Sequence, residues 1–249
     1  MEGHGMLIPT DEMRSELGHI HGEADTNLIL LRDFHVFTGH SYGSYDEGVK
    51  DGQIKGIVAN GRTGTTFEAK YVAHLLLQYL DEELPQVVLY QLVSYFESFF
   101  FDLLKVLLMH NPRALPPGRQ LTVKDVLDKA GWKELVMGMI DEELHKQQYR
   151  NVREWFEFLG SVLNTDPVPE RDIDRLAELK ASRDLLAHNQ GRVNDTYIKK
   201  SGRLARSRTV GDKLAYDRKY VYDAGDFLTD FVTNIMKSVY IRFPEPAAK

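Results

Sequence analysis

The chain has 249 residues, 43% hydrophobic and 27% charged, enough to bury a substantial core as one domain with appendages, or at most two domains. It contains no cysteine, which excludes disulfide scaffolds, cysteine nucleophiles and cysteine-ligated zinc and is compatible with a reducing cytoplasm. The formal net charge of −6 argues against a surface coated with positive charge for nucleic acid, and Met1-Glu2-Gly3-His4-Gly5 lacks the basic stretch and apolar core of a signal peptide.

Residues 1–64 carry the weakest pattern. Thr10 to Phe37 can form a helix, with Asp11, Glu12 and Glu16 near its start, although Gly18 and Gly22 weaken it by about 1 kcal/mol each. From Gly39 to Gly64 glycine recurs too often for a regular element, which predicts loops and short strands. The segment is therefore expected as a Gly-rich, less regular N-terminal extension. Inside it, Gly56-Ile-Val-Ala-Asn-Gly61-Arg62-Thr63 matches a phosphate-cradling loop except that Arg replaces Lys. Val49 to Lys55 is a poor core strand to precede such a loop, so a connector is expected instead. His19, His21, His35 and His40 are dense but match no ligand spacing, and no metal or other cofactor is expected.

From Thr65 a helical pattern takes over. Thr65 or Thr66 can cap a helix reaching about Glu83, and Pro85 suits the first turn of a second helix that reaches His110 before Asn111-Pro112. Val87 to Met109 has a spanning length, but Glu97, Asp102 and Lys105 make a buried bundle helix the better reading than a membrane span. Glu97, mid-helix among apolar residues, is costly to bury unpaired and calls for a cation such as Arg183. Tyr95, Phe96, Phe99, Phe100 and Phe101, at helical spacing, read as core and dimer interface, not as a base-stacking platform. Arg113 to Gln120 reads as a linker. Thr122 and Asp125 then cap a short helix with Val123, Val126, Leu127 and Ala130 on its apolar stripe. Trp132 to Leu144 and Tyr149 to Leu163 continue as helices, and Asn164 to Pro169 breaks the chain.

Glu170 to His188 forms the next helix, with Ile173, Leu176, Ala177 and Leu186 inward. Its end, Ser182-Arg183-Asp184-Leu185-Leu186-Ala187-His188-Asn189-Gln190-Gly191, sets a permanent cation five residues before a side chain that takes and gives protons near neutral pH. Arg183 can hold a phosphate and stabilise charge growing on its oxygens. His188 can remove a proton from a ribose 2′-hydroxyl or protonate the leaving oxygen. Asp184 can orient Arg183, and Asn189 can donate to phosphate or shape the turn. Arg14 and His19 share the spacing, but without the apolar Leu-Leu-Ala segment and the helix-ending glycine. Five residues span about 500° of helix, so Arg183 and His188 stand about 140° apart in an unbroken one. They converge if the helix unwinds near Asn189 to Gly191, or if a second subunit completes the site.

Arg183-Asp184-x3-His188 resembles the Arg-polar-x-His signature of the HEPN superfamily. The resemblance covers about ten residues, with Leu84 to Met109 and Asp226 to Arg242 standing where such a bundle has its other long helices. It implies a small helical bundle, commonly a homodimer, and metal-independent endoribonuclease activity of the kind found in toxin–antitoxin and antiviral systems, with an antitoxin or defence-system protein as a further partner. Asn189-Gln190-Gly191 after the histidine differs from the x-Tyr of HEPN toxins that are inactivated at that tyrosine. A non-catalytic HEPN-like module that binds RNA, a nucleotide or a protein remains the alternative.

Between Arg192 and Lys219 nine lysines and arginines face three aspartates, a local charge of +6 in a chain of −6. Lys199, Lys200, Arg203, Arg206 and Arg208 are the candidates for RNA phosphates, against the simpler role of a solvated loop. Phe227, Leu228, Phe231, Val232, Ile235, Met236, Val239 and Tyr240 then form one stripe that closes the bundle before Pro244. No G-x-S-x-G turn of a serine hydrolase occurs. The expected protein is mainly α: an extension over 1–64 and a HEPN-like bundle over 65–249, in the cytoplasm, with no membrane contact.

Overall fold

Residues 10–59, 62, 64–117, 131–165 and 168–244 are described by a computed structural model, and they are mainly helical. The first element is a 40-residue helix, α1 (Asp11–Lys50), capped by Thr10, whose side chain accepts from the Met13 amide at 3.1 Å. Residues 11–50 are thus one regular helix, which runs on past Phe37 through Gly39, Gly43 and Gly48 to Lys50, and not the irregular stretch that the glycines predict. Tertiary contact overrides the glycine count. Met13, Leu17, Ala24 and Leu28 of α1 enter the same core as the later helices. Gly39 packs beside Leu80, whose Cδ1 would lie 3.4 Å from a β-carbon at that position.

A two-stranded antiparallel ribbon follows, β1 (Ile57–Ala59) and β2 (Thr66–Glu68), with Val58 opposite Phe67. Thr66 therefore lies in a strand and does not cap a helix. The helix α2 (Ala69–Gln78) starts at Glu68 and passes through a π-turn at Tyr79–Glu83 into α3 (Leu84–His110), where Pro85 occupies the first turn. The capping motif at Thr122 and Asp125, with its apolar stripe, lies outside the described residues. Then come α4 (Trp132–Gln148), α5 (Val152–Leu163), α6 (Glu170–Asn189), the short α7 (Asp195–Ser201) and α8 (Arg218–Arg242).

Helix α3 is the centre of the bundle because its apolar residues recur on more than one face: Leu89, Val93, Phe96, Phe100, Leu103 and Leu104 are all fully buried. Phe96 stacks on Phe231 of α8 at 5.6 Å between ring centroids, and Phe100 on Trp155 of α5 at 5.5 Å. Helix α1 lies antiparallel to both α3 and α8: Glu16 meets His110, Arg32 meets Asp226 and His21 meets Tyr240. Within the aromatic run of α3, Phe96, Phe99 and Phe100 are core, as their spacing predicts, and Tyr95 and Phe101 are partly buried against it. No helix among the described residues is long and apolar enough to cross a membrane.

Candidate phosphate-clamp and proton-transfer site

Helix α6 carries the motif and remains helical through Asn189. It stops there because Gln190 and Gly191 both adopt left-handed backbone, at φ 53° and 73°, and both amides turn back to the Leu185 carbonyl. A β-carbon on Gly191 would also lie 3.2 Å from the Tyr216 ring, so glycine suits this position twice over. The unbroken helix keeps Arg183 and His188 on different sides within one chain, about 140° apart.

Arg183 points inward. Its side chain is 12% exposed, its guanidinium lies 5.5 Å over the Tyr90 ring, and its Nη2 donates to Glu97 Oε2 on α3. Lys180, one turn earlier, donates to the other oxygen of the same carboxylate at 2.6 Å. The mid-helix glutamate thus has the cation that its position in the sequence demands, and a second one besides. Asp184 sits 3.5 Å from Arg183 Nη1 and accepts from Lys200 Nζ at 3.3 Å. Three cations therefore gather around two carboxylates, which leaves one positive charge in excess. Arg183 Nε has no hydrogen-bond partner. Glu97, Lys180 and Arg183 line a groove of about 410 Å³ together with Ser98, Asp102 and Gln148.

His188 is exposed in the last turn of α6. Asn189 serves the turn itself, its side-chain amide donating to the Arg192 carbonyl at 2.6 Å. Among the five cations expected on phosphates, Lys199, Lys200, Arg203 and Arg208 are exposed; Arg203 pairs with Asp174 at 2.8 Å, and Arg208 donates to the Gly202 carbonyl at 2.7 Å. Lys200 is tied to Asp184. Arg206 is committed to the protein interior.

That interior site centres on Glu178, a 5% exposed carboxylate on α6. Ser182 Oγ donates to it at 2.6 Å, Arg206 Nε at 3.0 Å and Tyr220 OH at 2.9 Å. Arg206 also stacks 3.8 Å from the Tyr220 ring centroid, and the Tyr216 hydroxyl donates to the Ser182 carbonyl at 3.0 Å. Burial, then the neighbouring Glu178 carboxylate, holds the Tyr220 phenol protonated well above its ordinary range. The basic segment is thereby folded onto α6, and its ends are closed by Val193 and Leu214, whose amides donate to the Asp212 and Gly191 carbonyls at 2.8 and 2.9 Å.

Lys180 and Glu178 are not among the residues that the sequence singles out. The available signal was an acid at Glu178 one turn before Ser182 on the face that carries Leu179 and Leu185. Among the described residues no cluster of three metal-ligating side chains occurs, the histidines of α1 included. Comparison with known protein families, with curated proteins and with solved structures gives no match.

Proposed function

We propose that the chain is a metal-independent endoribonuclease of HEPN type that acts as a homodimer. The observation that supports this most is Arg183: Glu97 holds it in place, yet its Nε–H has no acceptor, and it shares a helix with an exposed histidine at the tip. In the reaction, the ribose 2′-oxygen loses its proton to a histidine acting as base and attacks the neighbouring phosphorus. Arg183 stabilises the charge that gathers on the phosphate oxygens, and the 5′-oxygen leaves with the proton that this histidine gives back. The products are a 2′,3′-cyclic phosphate and a 5′-hydroxyl. Lys199, Arg203 and Arg208, all exposed, supply sequence-independent attraction to the RNA backbone.

The Arg183–Glu97 pair also favours a second reading, in which the arginine is a structural ion pair and the chain is an RNA-binding module without cleavage. Incubating purified protein with mixed RNA in EDTA separates the two. Cleavage that falls about 100-fold in His188→Ala and in Arg183→Ala, with circular dichroism unchanged, supports the enzyme. Equal cleavage by wild type and His188→Ala removes it.

A further inference from the structure

On the other side of Lys180 lies a cleft of about 640 Å³ between the start of α5, the middle of α6 and α7. Cations converge on it from three segments: Arg150 and Arg153 around the α4–α5 turn, Lys180 on α6, and Lys199 and Lys200 on α7. Against them stand two acids in the lining, Glu154 and Asp174. Glu154 is spent on the helix cap, its carboxylate accepting from the Asn151 amide at 2.9 Å, and Asp174 is shared by Arg153 and Arg203 at 2.7 and 2.8 Å. Arg150 and Lys199 are exposed and enter no ion pair among the described residues. Lys180 and Lys200 are answered from outside the lining by Glu97 and Asp184, and Arg153 also by Glu170, so Arg150 and Lys199 are the two cations of the lining left without a counter-charge among the described residues.

A second observation points to an absent ligand. Ser201, at the C-terminal end of α7, lines this cleft and is 3% exposed, yet its hydroxyl has no hydrogen-bond partner. A buried hydroxyl without a partner is costly, and an anion oxygen in the cleft would satisfy it. At the mouth stands Tyr149, 80% exposed, where an aromatic face is open to a flat organic group.

We propose that this cleft binds the phosphomonoester of a small organic molecule, separately from the Arg183–His188 site. A phosphomonoester carries a charge of about −2 at neutral pH, and a backbone phosphodiester carries −1. Two cations without a counter-charge, Arg150 and Lys199, standing on two of the segments that enclose the cleft, match the former. The volume falls in the range of small-ligand sites, about 300–1,000 Å³, and suits a ligand of mononucleotide size better than a passing strand.

The test is calorimetric titration of the full chain at low salt with adenosine 5′-monophosphate, cyclic adenosine monophosphate, adenosine and inorganic phosphate. The monophosphate is expected to bind at least about tenfold more tightly than each of the others. Arg150→Ala and Lys199→Ala, both surface changes that preserve the fold by circular dichroism, should each weaken it about tenfold, and Ser201→Ala severalfold. Equal affinity for the cyclic phosphodiester, equal affinity for inorganic phosphate, no binding at millimolar concentration, or undiminished binding in Arg150→Ala and Lys199→Ala each overturns the proposal. All readouts are of binding, so an inactive ribonuclease site leaves them unaffected.

Discussion

His35 and Glu97 show how single polar residues inside the bundle set its response to solution conditions. His35 is 5% exposed on α1, and its Nε2 has no hydrogen-bond partner. Burial first, and the Arg218 guanidinium second, lower its pKa from the ordinary 6.5, so the folded protein holds it neutral. The unfolded chain takes up that proton first as pH falls. His35 thus contributes stability that is fully present above pH 6.5 and lost as pH drops through the lower folded value. Urea midpoints measured between about pH 7.5 and 5 should fall on acidification, and the fall should be smaller in His35→Leu; parallel curves for the two proteins would refute this. Glu97 answers a different question, since it pairs with two inward cations. Glu97→Gln keeps its shape and removes its charge, leaving Lys180 and Arg183 facing each other. A stability loss of about 1–3 kcal/mol by thermal or urea denaturation is expected, tempered by partial exposure of the group.

At the scale of elements, the basic segment after α6 is ordered by Glu178, not left as a solvated loop. Arg206 is its plug: removing it strands a buried carboxylate that still needs a counter-charge. Arg206→Ala should cost about 3 kcal/mol and Tyr216→Phe about 1 kcal/mol in urea unfolding, with the larger loss confined to the charge. If Arg206 instead contacted RNA phosphates, its removal would lower the salt slope of RNA binding by about one unit and leave stability nearly unchanged. These elements differ in how far the sequence shows them. Helices α3, α6 and α8 are legible because their buried residues are apolar and recur at helical spacing, and Glu97 among them points to a cation partner. The second half of α1 is not, because its glycines weaken a helix locally while contacts such as Gly39 with Leu80 lie far away in sequence. The Glu178 cluster is hidden for the same reason: Ser182 lies one turn on along α6, but Arg206 and Tyr220 come from separate elements, and no local period connects them to it.

At the scale of the molecule, the geometry of α6 decides what a cleavage site requires. One chain offers Arg183 turned inward to α3 and His188 exposed about 140° away on an unbroken helix, so neither can serve the other's phosphate within that chain. A twofold axis near the helix tip would set the histidine of one copy beside the arginine of the other. Exposed apolar residues are available for the contact: Val87 and Tyr90 on α3 are 62% and 44% exposed, and Tyr90 lies against Arg183 itself. Such an arrangement predicts complementation. Arg183→Ala and His188→Ala, each inactive alone, should recover about a quarter of wild-type cleavage when mixed and allowed to exchange subunits, because half of the dimers would be mixed and one of two sites in each would be complete. Analytical ultracentrifugation of the same mixture reports whether dimers form. Dimers without recovered cleavage, or a stable monomer that cleaves RNA, would show that the two residues do not act across an interface.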